Sequence, residues 1–227
     1  MKLLAIDTSS NACSVAVLAG NDVMQNHVVE PRAHTKILLP MITALLDEAN
    51  LAVTDLDAVV LGNGPGSFIG MRIGASVAQG LAFGAGINIV PISSLAAVAA
   101  EAIADHAAEK VLVAQDARMN EIYLGRYRAG NDGLPIAEVS ERICKVEAIS
   151  DLGTGYVAVG AGWQKYSQFD HLNEKCINVL ADLDHPRARF LLRLGAKAYQ
   201  GGQFVTPAAL VPAYLRMKVA DVPGKAV

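Results

Sequence analysis

The chain has 227 residues, 52% of them hydrophobic, so it can bury a sizeable core and is not an intrinsically disordered protein. A net charge of −3 gives no broad basic footprint for nucleic acid, so most phosphate contacts to any RNA would have to come from another molecule. Cys13, Cys144 and Cys176 are far apart, odd in number and without a CxxC pair, which excludes a disulfide framework and fits a reducing cytoplasm.

The opening MKLLAIDTSS reaches Asp7 too early for the apolar core of a secretory leader, and a cytoplasmic location is expected. Strands are predicted at 2–7, 12–20 and 22–30, the last two joined by a hairpin turn at Gly20, Asn21 and Asp22. A helix follows at 34–50, then a strand at 58–62, a helix at 67–85, a strand at 88–91 and a helix at 93–106. Residues 73–100 carry no charge, but Gln79, Gly84, Gly86, Asn88 and Pro91 interrupt them. A membrane span needs ~20 mainly apolar residues without a turn, so buried helix, strand and helix are expected instead.

The pattern then restarts. Residues 109–130 read as a strand, a turn around an aspartate and a second strand, which puts Asp116 where Asp7 stands in the first unit. Strand-like YVAVGAG at 156–162 and a helix at about 186–200 follow, and the tail 219–227 is expected to be loose. Two units of related pattern predict two lobes, 1–108 and 109–227, meeting near the charged, Ala-rich DHAAEK. The fold class expected is α/β, in the two-lobed, duplicated, RNase H-like arrangement of actin, sugar kinases and heat-shock ATPases. In that arrangement a nucleotide lies between the lobes.

Residues 62–74, GNGPGSFIGMRIG, hold five glycines ahead of and inside a helix, a place where free N–H groups can cradle phosphate. The stretch matches neither standard phosphate signature. Met71 and Ala75 follow Gly70 and Gly74 where Walker A needs Lys and Ser or Thr, and GxGxxG fails from Gly62 and from Gly64. Packing accounts for more of it. Ser67 can cap the helix, and Gly70, Gly74, Ala78 and Ala82 recur every four residues along one bare face. Each mid-helix glycine costs ~0.5–1 kcal/mol relative to alanine, which close approach of another element would offset. Direct anion binding is the alternative. The helix at 34–50 carries more apolar residues than one stripe needs, among them Leu38, Met41, Ile42 and Leu45. Its surplus face is either core or partner surface, and Pro40 falls early enough to be tolerated.

Candidate chemistry is sparse. None of the five histidines is spaced to share a metal from one helix turn. His34, beside Arg32 and Thr35, reads as a helix-start residue that caps or packs locally. Asp7 and Asp116 end strands near the expected cleft, where such carboxylates would organise hydrated magnesium, but neither turn contains the glycine that close phosphate approach favours. They are degenerate sites or aspartates that cap their own turns. Gly160 and Gly162 in VGAGW match the glycine turn that holds adenosine in this fold, a short and common pattern. Cys13, within a buried strand, reads as an inert core thiol.

LLAIDTSSNACSVAV, HTKILLPMI, GNGPGSFIGMRIGASVAQGLA, DARMNEIY and PAYLR follow one another in this order. Together they resemble the bacterial TsaB family, formerly YeaZ, over essentially the whole chain; the family's usual Thr is replaced by Ile69. The resemblance implies a part in making threonylcarbamoyladenosine on tRNAs that read codons beginning with A. It implies a non-catalytic partner of a TsaD-like catalytic subunit, which carries the metal, and of a TsaE-like ATPase, with tRNA met only through the complex. It also implies pairing of first-lobe helices, as a heterodimer or, alone, as a homodimer. The interface candidates are Leu38, Met41, Ile42 and Leu45 on one helix and Gly70, Arg72, Gly74 and Ala78 on the other. The catalytic relative has two metal-binding histidines four residues apart where this chain has Ser94 and Val98. No metal, no catalytic residue and no cofactor of its own are therefore expected, with ATP or ADP only at an interface with a partner. A kinase-type phosphotransferase and a peptidase are the alternative classes.

Overall fold

The computed structural model describes residues 1–148, 154–166, 177–179 and 183–216; His171, Cys176 and the tail 219–227 lie outside them. The first sheet contains β1 (Lys2–Asp7), β2 (Ala12–Ala19), β3 (Asp22–Val29), β4 (Ala58–Gly62) and β5 (Asn88–Ile92) in the order β3-β2-β1-β4-β5. β1 pairs antiparallel with β2 and parallel with β4. β1 and β4 are nearly continuous apolar runs because both of their faces are covered. Leu4, Ile6, Val59 and Leu61 point to one side, where α1 (His34–Glu48) and α2 (Phe68–Ala85) pack. Leu3, Ala5, Ala58 and Val60 point to the other.

The second sheet repeats the plan. β6 (Lys110–Arg118), β7 (Glu121–Ala129), β8 (Pro135–Ala137), β9 (Arg142–Lys145), β10 (Tyr156–Val159) and β11 (Ile177–Val179) run in the order β11-β10-β6-β7-β8, with β9 also on β7. β6 pairs antiparallel with β7 and parallel with β10, as β1 does with β2 and β4. The two sheets are two copies of one topology, the two-lobed actin-like architecture.

The lobes are not two consecutive halves of the chain. α3 (Ser94–His106) is buried on nearly every side from Ser94 to Ile103, as an all-round apolar helix must be. Its Leu95, Val98, Ala99 and Ala102 pack on the second sheet, while Ala97 and Ala100 join the first-lobe core. After the short α4 (Gly162–Lys165), α5 (Ala188–Gln200) returns to the first sheet, where Phe190, Leu191 and Leu192 cover its open face. Gly195 lets α5 approach Val60 at a distance that any Cβ would obstruct. The expected lobe 109–227 is corrected accordingly: α5, residues 188–200, belongs to the first lobe, where together with Ala97 and Ala100 of α3 it covers the face carrying Leu3, Ala5 and Val60.

Beside that crossing, Glu101 of α3 pairs with Arg187 at 3.1 Å and is almost fully buried. Burial pushes its carboxyl up to about 7, against the pull of Arg187 and Arg189. The folded chain thus holds this proton over a range in which the unfolded chain has released it, so this group makes stability fall as pH rises from about 4.5 to about 7. Glu101→Gln is expected to remove that slope, on the order of 2–3 kcal/mol across the window. Denaturant melts of both proteins at the two ends of the window measure the difference, which isolates Glu101 from the opposite slope of the half-buried His27 and His185.

Candidate functional site

The glycines of 62–74 are packed against the turn between β1 and β2, residues 8–11. A Cβ on Gly62 would overlap the Asp7 carboxylate, one on Gly66 the Ser9 carbonyl, and one on Gly70 the Thr8 carbonyl. At Gly74 it would stand 2.5 Å from Thr8 Oγ1. The four glycines, four residues apart, form a bare track on which the turn lies. Hydrogen bonds fasten it: Thr8 Oγ1 donates to the Gly70 carbonyl at 2.7 Å, and Ser67 N–H donates to the Ser9 carbonyl at 2.6 Å. Ser67 also caps α2 by accepting from Gly70 N–H. Packing is thus the use of these glycines. Sequence periodicity exposed the helical half of the track but not its partner.

Asp7 lies beneath this turn with 1% of its surface exposed. Its Oδ1 accepts from the N–H and the hydroxyl of Ser9, each at 2.8 Å, and its Oδ2 accepts from Ser94 Oγ at 2.7 Å. Ser94 Oγ in turn accepts from Gly64 N–H. Burial raises the Asp7 carboxyl above its ordinary range, against the hydrogen bonds from Ser94 and Ser9. The residues do not fit a divalent ion. Both carboxylate oxygens are engaged, Ser94 is committed to Asp7, and Val98 offers hydrocarbon. Among the described residues no three His, Cys, Asp or Glu side chains form a metal-holding group.

Asp116 differs from its counterpart. It lies on the wall of a cleft of about 400 Å³ between the lobes, bounded by Ser9, Ser67 and Phe68 on one side and Gln115, Arg118 and Arg216 on the other. Burial would raise its carboxyl, but hydrogen bonds from Lys165, Tyr166 and the Arg118 N–H outweigh it and hold the group below the ordinary range. Gly160 and Gly162 both abut the Ala114 backbone, leaving Ala161 between them on the cleft wall. His34 is buried with Nε2 3.2 Å from the Ala12 carbonyl, a local packing role. Burial pushes the Cys13 thiol up to about 12, which leaves it unreactive.

The residues expected at a partner surface need correction. Leu38, Met41, Ile42 and Leu45 are between 1% and 5% exposed and form the first-lobe core with Leu4, Ile6 and Val59. Gly70, Gly74 and Ala78 also face inward, because the 8–11 turn and the sheet fill the space a side chain would need. Arg72 alone of the eight is exposed; its guanidinium lies 3.7 Å from the Phe68 ring centroid, and its Nε donates to Tyr214 OH at 3.0 Å. The outer faces of α1 and α2 enclose a second groove of about 390 Å³, lined by Leu38 and Arg72 of the expected set together with Thr35, Leu39, Phe68, Ile69, Ile73 and Val77. Leu39 is 51% exposed and Ile69 70%, and neither was singled out for this surface because periodicity marks the buried stripe.

Two copies of one sheet topology enclosing a cleft define a protein of the actin-like class. The family described as "TsaD: tRNA N6-adenosine threonylcarbamoyltransferase" matches residues 28–221. The "tRNA threonylcarbamoyladenosine biosynthesis protein TsaB" of Haemophilus influenzae is 39% identical over 99% of this chain and 98% of its own. The protein of the same description from Escherichia coli is 36% identical over 99% and 100%. The solved structure "YeaZ from Pseudomonas aeruginosa" superposes with a TM-score of 0.86 at 37% identity, covering 94% of this chain and 99% of that one. The chain belongs to the TsaB (YeaZ) family.

Two glycines of α2 separate packing from mere helix geometry. Gly70→Ala drives a methyl into the Thr8 backbone and is expected to destabilise the fold by about 3 kcal/mol or more. Gly80, with nothing within 4 Å, should gain roughly 0.5–1 kcal/mol as alanine. Thermal and denaturant unfolding of the two variants give the comparison.

Proposed function

We propose that this chain is a non-catalytic subunit of tRNA threonylcarbamoyladenosine biosynthesis, acting in the cytoplasm on tRNAs that read codons beginning with A. Family membership supports the pathway. The observation that carries the non-catalytic role is the Asp7–Ser94 contact. A metal-holding relative needs open ligands at this point, and here a carboxylate is closed by three hydroxyl and amide donors. The chain then contributes by association with a TsaD-like catalytic subunit and a TsaE-like ATPase, and tRNA is met through the complex, in keeping with the net charge of −3. The reading assigns no cofactor to the chain alone; ATP or ADP is expected only where a partner completes a site.

The α1–α2 groove is the surface proposed for association, with the TsaD-like subunit or, in its absence, with a second copy around a two-fold axis. Ile69→Asp and Leu39→Asp place a charge on exposed positions, so circular dichroism stays native. Each is expected to weaken association at least tenfold, ~1.4 kcal/mol. Leu45→Asp buries its charge and is expected to unfold the lobe, at a cost of several kcal/mol. Folded Ile69→Asp protein that binds its partner with unchanged affinity would remove this surface from the reading.

Reconstitution tests the role itself. The TsaD-like and TsaE-like proteins with the separate adenylate synthase should modify tRNA poorly until this chain is added, with nucleoside mass spectrometry as the readout. Full modification without the chain would sink the scaffold role. Modification by the chain and the synthase alone would make it the enzyme.

A further inference from the structure

Residues 203–216, after α5, cross from one lobe to the other. Val205 pairs with Ile89 at the edge of β5, and Gln79 Nε2 donates to the Pro207 carbonyl at 2.8 Å. Leu210 is buried in the first-lobe core. Asn63, just past β4, donates from Nδ2 to the Val211 carbonyl at 3.0 Å, and its own carbonyl accepts from Ala213 N–H at 3.1 Å. Tyr214 completes the first-lobe anchors: its OH accepts from Arg72 Nε, and its ring lies 5.6 Å from that of Phe68.

The next two residues serve the other lobe. Leu215 packs on the core between α3 and the second sheet. Arg216 Nη2 donates to the Ala117 carbonyl at 2.7 Å and pairs with Glu121 at 2.5 Å, while Nη1 lies 3.6 Å from Met119 Sδ. These contacts hold the β6–β7 turn, where Arg118, Met119 and Asn120 have φ of 65°, 57° and 57°. Three successive non-glycine residues in the left-handed region cost roughly 1–2 kcal/mol each and persist only where their surroundings over-determine them. Arg118 and Met119 of this turn, with Arg216 itself, line the interlobe cleft.

We propose that residues 210–216 are a latch that transmits the state of the α1–α2 groove to the interlobe cleft. Phe68 and Ile69 line both cavities, so they are the common wall. A molecule seated in the groove contacts Phe68 and Arg72, the two side chains on which Tyr214 rests. Displacement of Tyr214 reaches Arg216 within two residues, and Arg216 holds the turn whose three left-handed residues depend on such support. The groove end of this coupling rests on the association reading above; the latch itself does not.

The test is hydrogen exchange by mass spectrometry on the isolated full chain, with Tyr214→Ala, Arg72→Ala and Arg216→Lys. Among the described residues the side-chain hydrogen bond and ring contacts of Tyr214 and Arg72 are made to each other and to Phe68 of the first lobe, yet both substitutions are expected to speed exchange in the peptide covering 114–123 about fivefold, the factor that one ordinary hydrogen bond supplies. Arg216→Lys, which keeps the charge opposite Glu121 but loses the forked donor, is expected to do the same. Unchanged exchange in a peptide from 38–46 shows that the first-lobe core is intact. If Arg216→Lys frees the turn while Tyr214→Ala and Arg72→Ala leave it protected, the two anchors are independent and the latch is overturned; protection unchanged in all three overturns it equally. In a second arm, adding the TsaD-like protein should alter exchange at 114–123 in the unsubstituted chain and not in Tyr214→Ala. A bound partner that leaves 114–123 unaltered would overturn the coupling, whereas a partner that does not bind would overturn the association reading and leave the isolated-chain result standing.

Discussion

The contact between residues 8 and 9 and the glycine track of α2 is the constraint on which the rest of the first lobe depends. Backbone meeting backbone at this distance leaves no room for a Cβ, so α2 is fixed in rotation about its axis. With that rotation set, Ala75, Ala78 and Ala82 face the core, while Ile69 and Arg72 must point outward. The same contact covers the β1–β2 turn and presses Asp7 towards Ser94. A buried carboxylate is tolerable there because three donors satisfy it. The architecture therefore commits the β1–β2 turn to internal packing.

The two lobes are tied together more than a duplicated pattern implies. α3 lies between the sheets, α5 returns to the first one, and 203–216 runs back across the cleft mouth. Three separate crossings make lobe separation a tertiary property, distributed over Glu101 with Arg187, Ser14 with the Ala188 N–H, and Arg216 with the β6–β7 turn. The second lobe keeps what the first has closed. Asp116 lines the cleft and is held by Lys165 and Tyr166, whose hydrogen bonds lower its carboxyl, whereas burial raises that of the equivalent Asp7.

Much of this was legible from residue order alone. The apolar runs of KLLAID and ACSVAVLA, the Ser67 cap, the helical stretch from 93 and the restart at EKVLVAQD placed β1, β2, α2, α3 and β6 to within a residue or two. Periodicity is local, and these signals are local. The absence of histidine at 94 and 98 was equally plain. The surface was harder: the apolar excess of α1 turned out to be core, with Leu39 as its exposed exception, because α1 packs against the sheet on one side and α2 on another.

The duplicated α/β pattern, the Ser67 cap, the bare face of α2 and the histidine-free segment are readable in residue order, because each depends on neighbours within a few residues. What the bare face touches, which part of the chain covers the open side of the first sheet, and which apolar residues remain outside are set by contacts between distant elements. Those outcomes depend on pairs such as Thr8 with Gly70, Gly195 with Val60 and Arg216 with Ala117, 62 residues apart in the first case and 99 in the last. No spacing rule links residues at such separations; they meet because hydrophobic burial brings the elements together, and hydrogen-bond satisfaction then selects the register in which they stay.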